Sequence, residues 1–467
     1  GDTIRLVVEV ENVLQPVQNL TLTLSSLSPY LIVRQGAFSV GPLASLARSS
    51  NSGTPFRLAV AASTPLNTRA LLRYRFTDPA TGYEEDYYTT LVLNPDYVVL
   101  NAGDLALTLT SRGNIGYDGL GSDLGEGVIY RGGAPLLYEG GLLLAEGATR
   151  VSSRLRNERN RADTDFFSLS QATLRRQPLR ADQEAVGVLQ DSLPSLTRNR
   201  TVGVQVRQRG FAWAPAPHRD YVVLEYQLRN VTADTLKPLY AGLFMDWDVA
   251  DYARNVVAWD SVRHLSYAYD KGDSTMFVGL KWLSGGTATC YAINVNAPAG
   301  SPVHLSNGFS RAEKHLTLSS GTRQTSTSQP NGTDIAHVLG AALPRLAPTD
   351  STVVAFAVLA APTLAQLQAA ADAAQTRYNQ VLPVRPSLAA NAWEVYPNPA
   401  SSNVRVEVPA RFGGREVRLL NPLGQVLRRT VMISNAASLD VSSLPPGMYI
   451  VRVHGTTGEM ARRIIVR

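Results

Sequence analysis

Short stretches in which apolar and polar residues alternate recur along most of the chain. In its first 94 residues they lie at positions 4–10, 20–24, 30–33, 56–61, 70–76 and 87–93. Because successive side chains of a strand point to opposite faces, this alternation predicts half-buried strands. Strands of this length, separated by Pro, Gly, Asn and Ser residues, predict an immunoglobulin-like sandwich over residues 1–95. Its expected core includes Val7, Leu20, Leu22, Leu24, Leu58 and Leu72.

Residues 96–383 carry the same signal on a larger scale. The strand-like runs lie at 202–209, 221–228, 240–244, 265–269, 276–281, 287–294 and 353–360. They predict a large β-rich domain of the sandwich type. One late helix is expected over residues 364–379, because Thr363 can cap it and Pro383 and Pro386 prevent it from continuing. The residues along one side of this helix are Leu364, Leu367, Ala371, Ala374 and Tyr378.

A glycine-rich stretch, residues 112–127, precedes a largely apolar run at residues 128–144. Glycines that permit positive φ angles and close backbone approach also form phosphate-binding loops. Such loops join a strand to a helix, whereas the residues that follow here favour strands and turns, and no Gly-Lys-Ser/Thr motif is present. We therefore interpret the stretch as tight turns in an all-β domain.

The last part of the chain forms a third unit. A Pro- and Ala-containing stretch without periodicity, residues 384–392, is the expected linker. Beyond it, residues 393–467 contain strand-like runs at 404–408, 416–420, 425–431, 438–441, 448–454 and 462–466. The chain is therefore predicted to be all-β, with three folded domains at 1–95, 96–383 and 393–467. The terminal run combines apolar and cationic residues and is expected to offer a free edge for pairing.

Composition excludes several classes of protein. Of 467 residues, 44% are hydrophobic and 18% are charged, which is the balance of a folded chain. The net charge of +6 comes mainly from residues 387–467, which carry ten arginines and five acidic residues, so it does not indicate nucleic-acid binding. No window approaches the roughly 20 apolar residues of a membrane-spanning helix. The start lacks Met and a signal-peptide pattern, and we expect a processed or truncated chain.

The best candidate for a metal site is an acidic stretch that follows a predicted strand. Its oxygen-bearing residues are Asp246, Asp248, Asp251, Asn255 and Asp260. The first two lie two positions apart and hence on one face, and the next two follow in a loop that can fold back. Ca²⁺ takes six to eight oxygen ligands, and without a cation these carboxylates would repel one another. We therefore expect calcium as a cofactor here, the alternative being turn caps or pairs with Arg254 and Arg263.

Other candidates for chemistry are weaker. Cys290, the single cysteine, cannot form an internal disulfide. The six histidines do not have the spacing of zinc ligands and are expected at the surface. Because Gly-x-Ser-x-Gly is absent, a hydrolase within these residues is not expected. A dense aromatic set is expected to fill the core of the large sandwich, with stacking on sugar rings as the alternative. The set is Phe211, Trp213, Tyr221, Tyr226, Tyr240, Phe244, Trp247, Tyr252, Trp259, Tyr267, Tyr269 and Trp282.

Three motifs follow one another near the end of the chain: Val-Tyr-Pro-Asn-Pro-Ala at 395–400, Leu-Asn-Pro-Leu-Gly-Gln-Val at 420–426, and Leu-Asp-Val-Ser-Ser-Leu-Pro-Pro-Gly-Met-Tyr at 439–449. Their order resembles the C-terminal sorting domain of type IX (Por) secretion cargo in Bacteroidetes. The resemblance implies a small seven-stranded immunoglobulin-like sandwich, read by an outer-membrane shuttle barrel and a surface sortase and then often removed. It also implies export across the outer membrane to the cell surface or the extracellular space. The motif residues are Tyr396, Pro397, Asn398, Pro399, Asn421, Gly424, Gln425, Leu439, Asp440, Leu444, Pro446, Gly447 and Tyr449.

A second resemblance concerns the preceding residues. Residues 1–4 with 25–30, residues 114–119 with 125–127, and residues 246–248 resemble the region that follows the catalytic domain in secreted subtilisin-like (S8 family) serine peptidases of the same phylum. The Gly-Thr-Ser and Asp-Thr-Gly motifs of those enzymes are missing, and a His-Gly-Thr at 454–456 lies in a turn of the last domain. The expected function is therefore the non-catalytic C-terminal region of such a peptidase, with a triad upstream of residue 1. The alternative is a non-enzymatic surface adhesion, structural or carbohydrate-binding protein, whose glycan or protein ligand is unidentified.

Overall fold

A computed structural model describes residues 2–120, 124–321, 329–381, 394–408, 414–422, 424–432, 436–455 and 458–467. Strands make up 52% of the chain and helices 8%, which confirms the predicted all-β fold. The expected linker, residues 384–392, lies outside the described residues. Neither helix in the described part of the chain combines the length and the apolar composition needed to cross a membrane.

The described part of residues 3–93 forms nine strands: β1 (Thr3–Leu6), β2 (Glu9–Glu11), β3 (Val17–Ser26), β4 (Leu31–Gln35), β5 (Ala37–Leu43), β6 (Arg48–Ser50), β7 (Phe56–Val60), β8 (Thr68–Asp78) and β9 (Tyr83–Leu93). They pair as β5-β3-β8-β9, β1-β7-β4 and β2-β6. Leucines 20, 22, 24, 58 and 72 are buried as predicted. Val7 is not buried but 54% exposed. It lies between β1 and β2, where the chain leaves the strand and its side chains no longer alternate between the two faces.

Residues 97–381 contain 17 strands and two helices within their described part. The strands are β10 (Tyr97–Leu100), β11 (Leu105–Thr110), β12 (Asn114–Ile115), β13 (Val128–Tyr130), β14 (Leu137–Ala145), β15 (Val151–Ser153), β16 (Phe166–Leu174), β17 (Gln183–Asp191), β18 (Val204–Ala212), β19 (Tyr221–Asn230), β20 (Leu239–Trp247), β21 (Asn255–Asp260), β22 (Leu265–Asp270), β23 (Phe277–Trp282), β24 (Thr289–Asn294), β25 (Ile335–Leu343) and β26 (Ser351–Ala361). The helices are α1 (Arg311–Ser319) and α2 (Leu364–Val381).

Two large antiparallel sheets pack face to face in this central part. One follows the order β10-β11-β12-β14-β20-β25-β24, with β13 and β15 attached at β11 and β14. The other follows β16-β17-β18-β19-β26-β23-β22-β21. Side chains of both sheets, such as Leu243 and Phe356, share one buried cluster between them. The predicted sandwich architecture is therefore present.

The two helices cover the outer faces of these sheets. Helix α2, which confirms the predicted late helix, packs Leu367 and Ala371 against the second sheet. Helix α1, which the hydrophobic pattern does not predict, packs Leu318 against the first sheet, and Ser310 begins it with a capping box. A Cβ atom at Gly242 would lie 2.6 Å from Leu318 Cδ2, so glycine is needed there for the helix to approach the sheet.

The glycine-rich stretch forms turns, as predicted. After β12 the chain has positive φ angles at Gly116, Gly119, Gly125 and Gly127, and strand β13 follows rather than a helix. The Cβ of an alanine at Gly125 would lie 2.2 Å from the carbonyl oxygen of Gly116. These glycines therefore serve close backbone packing at one end of the first sheet.

The described residues of the last part form seven strands: β27 (Glu394–Tyr396), β28 (Asn403–Glu407), β29 (Gly414–Leu420), β30 (Val426–Val431), β31 (Ala436–Asp440), β32 (Gly447–Gly455) and β33 (Gly458–Val466). They pair as β27-β28-β31 and β30-β29-β32-β33. Val404, Val417, Leu419, Val451 and Ile464 are buried in one core between the two sheets. This is the seven-stranded sandwich that the resemblance implies.

Candidate functional site

The five residues of the expected calcium site lie at two places. Asn255 and Asp260 are the first and last residues of β21, and five steps of about 3.3 Å along a strand separate them by roughly 16 Å. Asp246, at the end of β20, and the loop residues Asp248 and Asp251 lie at the Asn255 end. Local spacing in the sequence does not show that Asp260 continues along the strand and away from the others.

Asp246 belongs to a buried charged cluster. It lies directly opposite Glu139 on the neighbouring strand β14, and two like charges at such a position are destabilising. Arg156 lies between them: its Nε is 2.6 Å from Glu139 Oε2, and its Nη2 contacts Asp246 Oδ2. The guanidinium thus contacts two carboxylates that are removed from water, although its single positive charge balances only one of them.

Two further acids, Asp248 and Asp334, adjoin this cluster. Burial, followed by the charge of Asp248, raises the pKa of Asp334 to about 6. Burial also raises the pKa of Asp248, against the opposing effect of Arg156. Burial raises the pKa of Asp246 well above its usual range, and the charges of Asp334 and Glu139 add to that effect. The raised pKa values of Asp246, Asp248 and Asp334 therefore reflect burial first, with repulsion from neighbouring carboxylates adding to it at Asp246 and Asp334, and Arg156 opposes the rise in all three.

Asn255 organises the loop that precedes it. Its Nδ2 donates to the carbonyl oxygens of Val249 and Asp251, at 2.7 and 2.9 Å, and its Oδ1 accepts from the N–H of Val249 at 2.9 Å. Asp251 caps the next turn by accepting from the N–H of Ala253 and pairs with Arg254. The loop folds back as expected, and hydrogen bonds from Asn255 hold it there.

Asp260 takes part in a separate group beside α2. It accepts from the backbone N–H groups of Val262 and Arg263, and its Oδ2 is 3.0 Å from Arg263 Nη1 and 3.0 Å from Gln368 Nε2. Although burial raises it, these bonds leave the pKa of Asp260 below its usual value. Asp260 thus acts as a turn cap and an ion-pair partner, which is the alternative that the sequence left open for it.

Calcium binding stays a prediction. Within the described ranges, no three or more His, Cys, Asp or Glu side chains are arranged so that they could hold a metal ion. Asp246 and Asp260 both pair with arginines. The repulsion among Asp246, Asp248 and Asp334 is nevertheless the force that a bound cation would relieve.

The aromatic set mostly fills the core, as predicted: Phe211, Trp213, Tyr221, Tyr226, Phe244, Trp247 and Trp282 are buried. His337 is buried too, which corrects the expectation that the histidines lie at the surface. It joins Trp247, whose Nε1 donates to Nε2 at 3.0 Å, and Ser266, whose Oγ contacts Nδ1 at 2.5 Å. Burial lowers the pKa of His337 to about 3. This serine and histidine lie inside the sandwich, and the imidazole bonds an indole where a hydrolase triad has a carboxylate.

The first sorting motif closes the end of the terminal strand β33. Asn398 Oδ1 accepts from the N–H of Ile465 at 2.9 Å, and Asn398 Nδ2 donates to the carbonyl oxygen of Arg463 at 3.2 Å. Ala400 continues this pairing with two backbone bonds of 2.8 Å, to Ile465 and Arg467. The free edge expected at residues 462–467 is therefore occupied from residue 463 onward by the Pro-Asn-Pro-Ala segment.

Each of the other two motifs contains the end of one strand, a turn and the start of the next strand. Asn421 and Gln425 close a turn through the bond from Gln425 N to Asn421 Oδ1 at 3.0 Å, and Gly424 has a φ of 84°. Asp440, at the end of β31, accepts from the N–H of Ser442. Tyr449 donates from its hydroxyl to the carbonyl oxygen of Pro445 at 2.8 Å. Leu439 is buried, whereas Tyr396, Pro397 and Pro446 are exposed, and each motif thus has a definable role in the fold.

Sequence patterns do not reveal Arg156 or Lys281, two charged residues that reach the predicted site residues or their neighbours from distant parts of the chain. Arg156 lies 90 residues before Asp246 in the sequence. Lys281, on the strand Phe-Val-Gly-Leu-Lys-Trp, is 4% exposed. The signal that could have identified it is one lysine inside a run that is otherwise apolar.

Comparison with known proteins identifies the last domain. Residues 394–467 match the family described as the secretion system C-terminal sorting domain. No curated protein sequence matches the chain at a significant level.

Three of the solved structures that this chain matches are distant from it in sequence. A bacterial glucoamylase complexed with acarbose is 10% identical over 60% of this chain and 34% of its own, with a TM-score of 0.35. The heparan sulfate lyase HepC from Pedobacter heparinus is 6% identical over 73% of this chain and 41% of its own, with a TM-score of 0.29. A polysaccharide lyase is 10% identical over 79% of this chain and 47% of its own, with a TM-score of 0.28. The chain spans less than half of each of these proteins, and the TM-scores are too low to support any functional comparison.

Proposed function

We propose that the chain is the non-catalytic region of a type IX secretion cargo, in which two β-sandwich units form a surface binding or structural region and the last domain is the sorting signal. The sorting domain directs export across the outer membrane to the cell surface or the extracellular space. It interacts with the secretion machinery. The match over residues 394–467 is the observation that carries this proposal.

The geometry of the sorting domain supports its role as a folded signal. Asn398 and Ala400 bind the end of β33, so the last residues of the chain are part of the sandwich. A receptor would therefore recognise a compact surface rather than a free tail. We assign the contacts with an outer-membrane shuttle barrel and a surface sortase to this domain.

Association with a subtilisin-like peptidase is the finer part of the proposal. It rests on the resemblance of residues 1–4, 25–30, 114–119, 125–127 and 246–248 described above, and the two large sheets would then support or position the enzyme. The alternative is a binding or structural protein without an attached enzyme. A Gly-Thr-Ser turn in the sequence before Gly1 would favour the peptidase, and repeated sandwich domains there would favour the alternative.

Export can be tested with the whole chain, preceded by a signal peptide that carries it across the inner membrane, in a bacterium that has type IX secretion. We expect the intact protein at the cell surface or in the medium, and periplasmic retention when residues 394–467 are deleted. Arg429→Gln, an exposed change on β30 outside the three motifs, is the matched control and should be exported normally. Surface delivery of the deleted chain, or normal delivery in a host without the type IX translocon, would refute the proposal. The intact mass of the native protein, measured in the envelope and released fractions of its own cells, shows whether it is larger than 50.5 kDa and whether the sorting domain is removed.

A further inference from the structure

A cleft of about 580 Å³ lies beside helix α2, between the turn that joins β21 to β22, the end of β23 and the loop that follows β23. The loop after β21 contributes Arg263 and His264, and strand β23 contributes Lys281. Helix α2 contributes Asp372, Gln375 and Asn379. With the hydroxyl groups of Ser284 and Thr376, these charged and polar side chains outnumber the apolar ones of Val262, Trp282 and Leu283, so the cleft suits a polar ligand.

Lys281 lies at the inner wall of this cleft. Along β23, Phe277, Gly279 and Lys281 share the face that α2 covers, since side chains alternate along a strand. Gly279 lies against Leu367 of the helix. Lys281, two residues later on the same face, lines the cleft. The side chain is thereby held between the sheet and the helix, and only 4% of it is exposed.

The ammonium group of Lys281 has no counter-ion in contact. Its Nζ donates to the backbone carbonyl oxygen of Arg263, and among the described residues no carboxylate lies within ion-pair distance of it. The two acids in the neighbourhood bind Arg263 instead: Asp260 at 3.0 Å from Nη1 and Asp372 at 3.1 Å from Nη2. Buried charges are ordinarily paired, because an unpaired one loses its hydration without compensation.

Asp260 and Asp372 act on Lys281 only from a distance, because both carboxylates contact Arg263. An anionic group that enters the cleft could form the direct ion pair with Lys281 Nζ that these two acids do not form. Asp372 is 58% exposed, so water screens its repulsion of such a ligand at the mouth of the cleft. Its carboxylate and the side chains of Gln375 and Asn379 can accept and donate hydrogen bonds to hydroxyl groups.

We propose that the cleft binds a small hydroxylated carboxylic acid, whose carboxylate pairs with Lys281 and whose hydroxyl groups bond to Asp372, Gln375 and Asn379. The site is independent of the sorting domain, so it stands whether or not the export proposal holds. Burial lowers the pKa of Lys281 to about 8, an effect opposed by the charges of Asp372 and Asp260 and reinforced by Arg263. A carboxylate at Nζ favours the protonated amine and raises this pKa. Binding should therefore weaken as the pH rises above 8, where the free amine becomes neutral.

The four lysines of the chain, at positions 237, 271, 281 and 314, make Lys281 directly observable by NMR of the full-length protein labelled with ¹³C-lysine. The probe is D-gluconate, with D-sorbitol as a hydroxylated compound without charge and acetate as a carboxylate without hydroxyls. We expect gluconate to shift the Lys281 Cε–Hε signal and raise its pKa by about one unit. Acetate should act more weakly, sorbitol should have no effect, and the Lys237 signal should stay unchanged.

Two variants separate a specific site from a general charge effect. Lys281→Met should abolish binding and identifies the signal, provided that its melting temperature shows it to be folded. Asn379→Ala keeps the lysine and should weaken gluconate binding by about tenfold, the effect of one lost hydrogen bond to a bound ligand, while acetate binding stays the same. Equal shifts of all four lysines, equal effects of sorbitol and gluconate, or an unchanged Lys281 pKa in the presence of gluconate would overturn the proposal.

Discussion

Replacement of Arg156 by methionine tests whether the buried acids of the central sandwich depend on one guanidinium. The Arg156 side chain is 7% exposed and those of Glu139 and Asp246 are 2% and 4% exposed, so water cannot replace the lost partner. Breaking a buried ion pair by removing one partner costs about 3–5 kcal/mol. Glu139 Oε1 still accepts from the backbone N–H of residue 156, at 2.6 Å in the parent protein. We therefore expect a cost at the lower end, about 3 kcal/mol.

Thermal unfolding monitored by tryptophan fluorescence measures this cost. Four of the five tryptophans lie between positions 213 and 282, so the signal reports mainly on the central sheets. At about 2.1 cal/mol/K per residue, the roughly 285 residues of the central part have an unfolding entropy of about 600 cal/mol/K, so 3 kcal/mol corresponds to a decrease of about 5 °C in melting temperature. The matched control is Arg131→Met, which removes an exposed partner of Asp104 and should cost less than about 1 kcal/mol.

The pH dependence of stability gives a second signature. The pKa of Asp246 is raised in the folded state, so its contribution to stability is present below its unfolded pKa and is lost as the pH rises through the folded one. Loss of Arg156 removes the main group that opposes this shift. The Arg156→Met variant should therefore recover part of its stability at pH 5 relative to pH 7.5.

Two results would refute the reasoning about Arg156. One is a loss of stability in Arg156→Met no greater than that in Arg131→Met at pH 7.5. The other concerns a triple variant, Glu139→Gln, Arg156→Met and Asp246→Asn: its free energy of unfolding would be no higher than that of Arg156→Met alone. The neutral amides remove the unpaired charges while keeping side-chain size, so the triple variant should recover most of the loss.

Three further predictions follow from single contacts. Asn398→Ala removes both side-chain bonds to β33 and should lower sorting-domain stability by about 1–2 kcal/mol, measured by urea unfolding, and reduce the exported fraction; unchanged unfolding would contradict this. Gly242→Ala should cost about 1–3 kcal/mol, because its Cβ would meet Leu318 Cδ2 and the carbonyl oxygen of Leu339, whereas Gly147→Ala, with open space around it, should be neutral in the same melting assay. If the acidic loop binds calcium, chelation should lower the melting temperature and Asp246→Ala with Asp248→Ala should abolish that response; equal melting with and without chelator excludes it.

The strands that the sequence predicts best are those with one buried and one solvent-exposed face. Strand β3 shows this, since its buried and exposed positions alternate around Leu22 and Leu24. Strand β26 has an unbroken buried run from Val354 to Ala361, because one face meets the facing sheet and part of the other meets α2. The alternation of apolar and polar residues disappears there. Only the length of the apolar run and the turn residues on either side of it then indicate a strand. Helix α1 is nine residues long and largely polar along its length, so the pattern alone does not indicate it.

The candidate site was harder to predict than the fold, for a physical reason. Spacing placed the four residues Asp246, Asp248, Asp251 and Asn255 correctly at one end of β21, because the loop is local. It did not reveal Arg156, which reaches Asp246 through strand pairing. Nor did it show that, among the described residues, Lys281 has no carboxylate in contact, since Arg263 binds the two nearby ones. Charge pairing depends on contacts between distant segments, and local patterns contain no information about them.

The absence of disulfides in this exported chain fits the way the central part is stabilised. Cys290 is buried and bonds Ser266, and burial raises the pKa of its thiol to about 12, so it is protonated and slow to react with oxidants. A chain without cross-links needs a large buried apolar area to offset its conformational entropy. The central sheets provide this area on the faces that meet each other and, where α1 and α2 pack, on the outer faces as well. The stability of this region therefore does not depend on the redox state of the compartment through which it is exported.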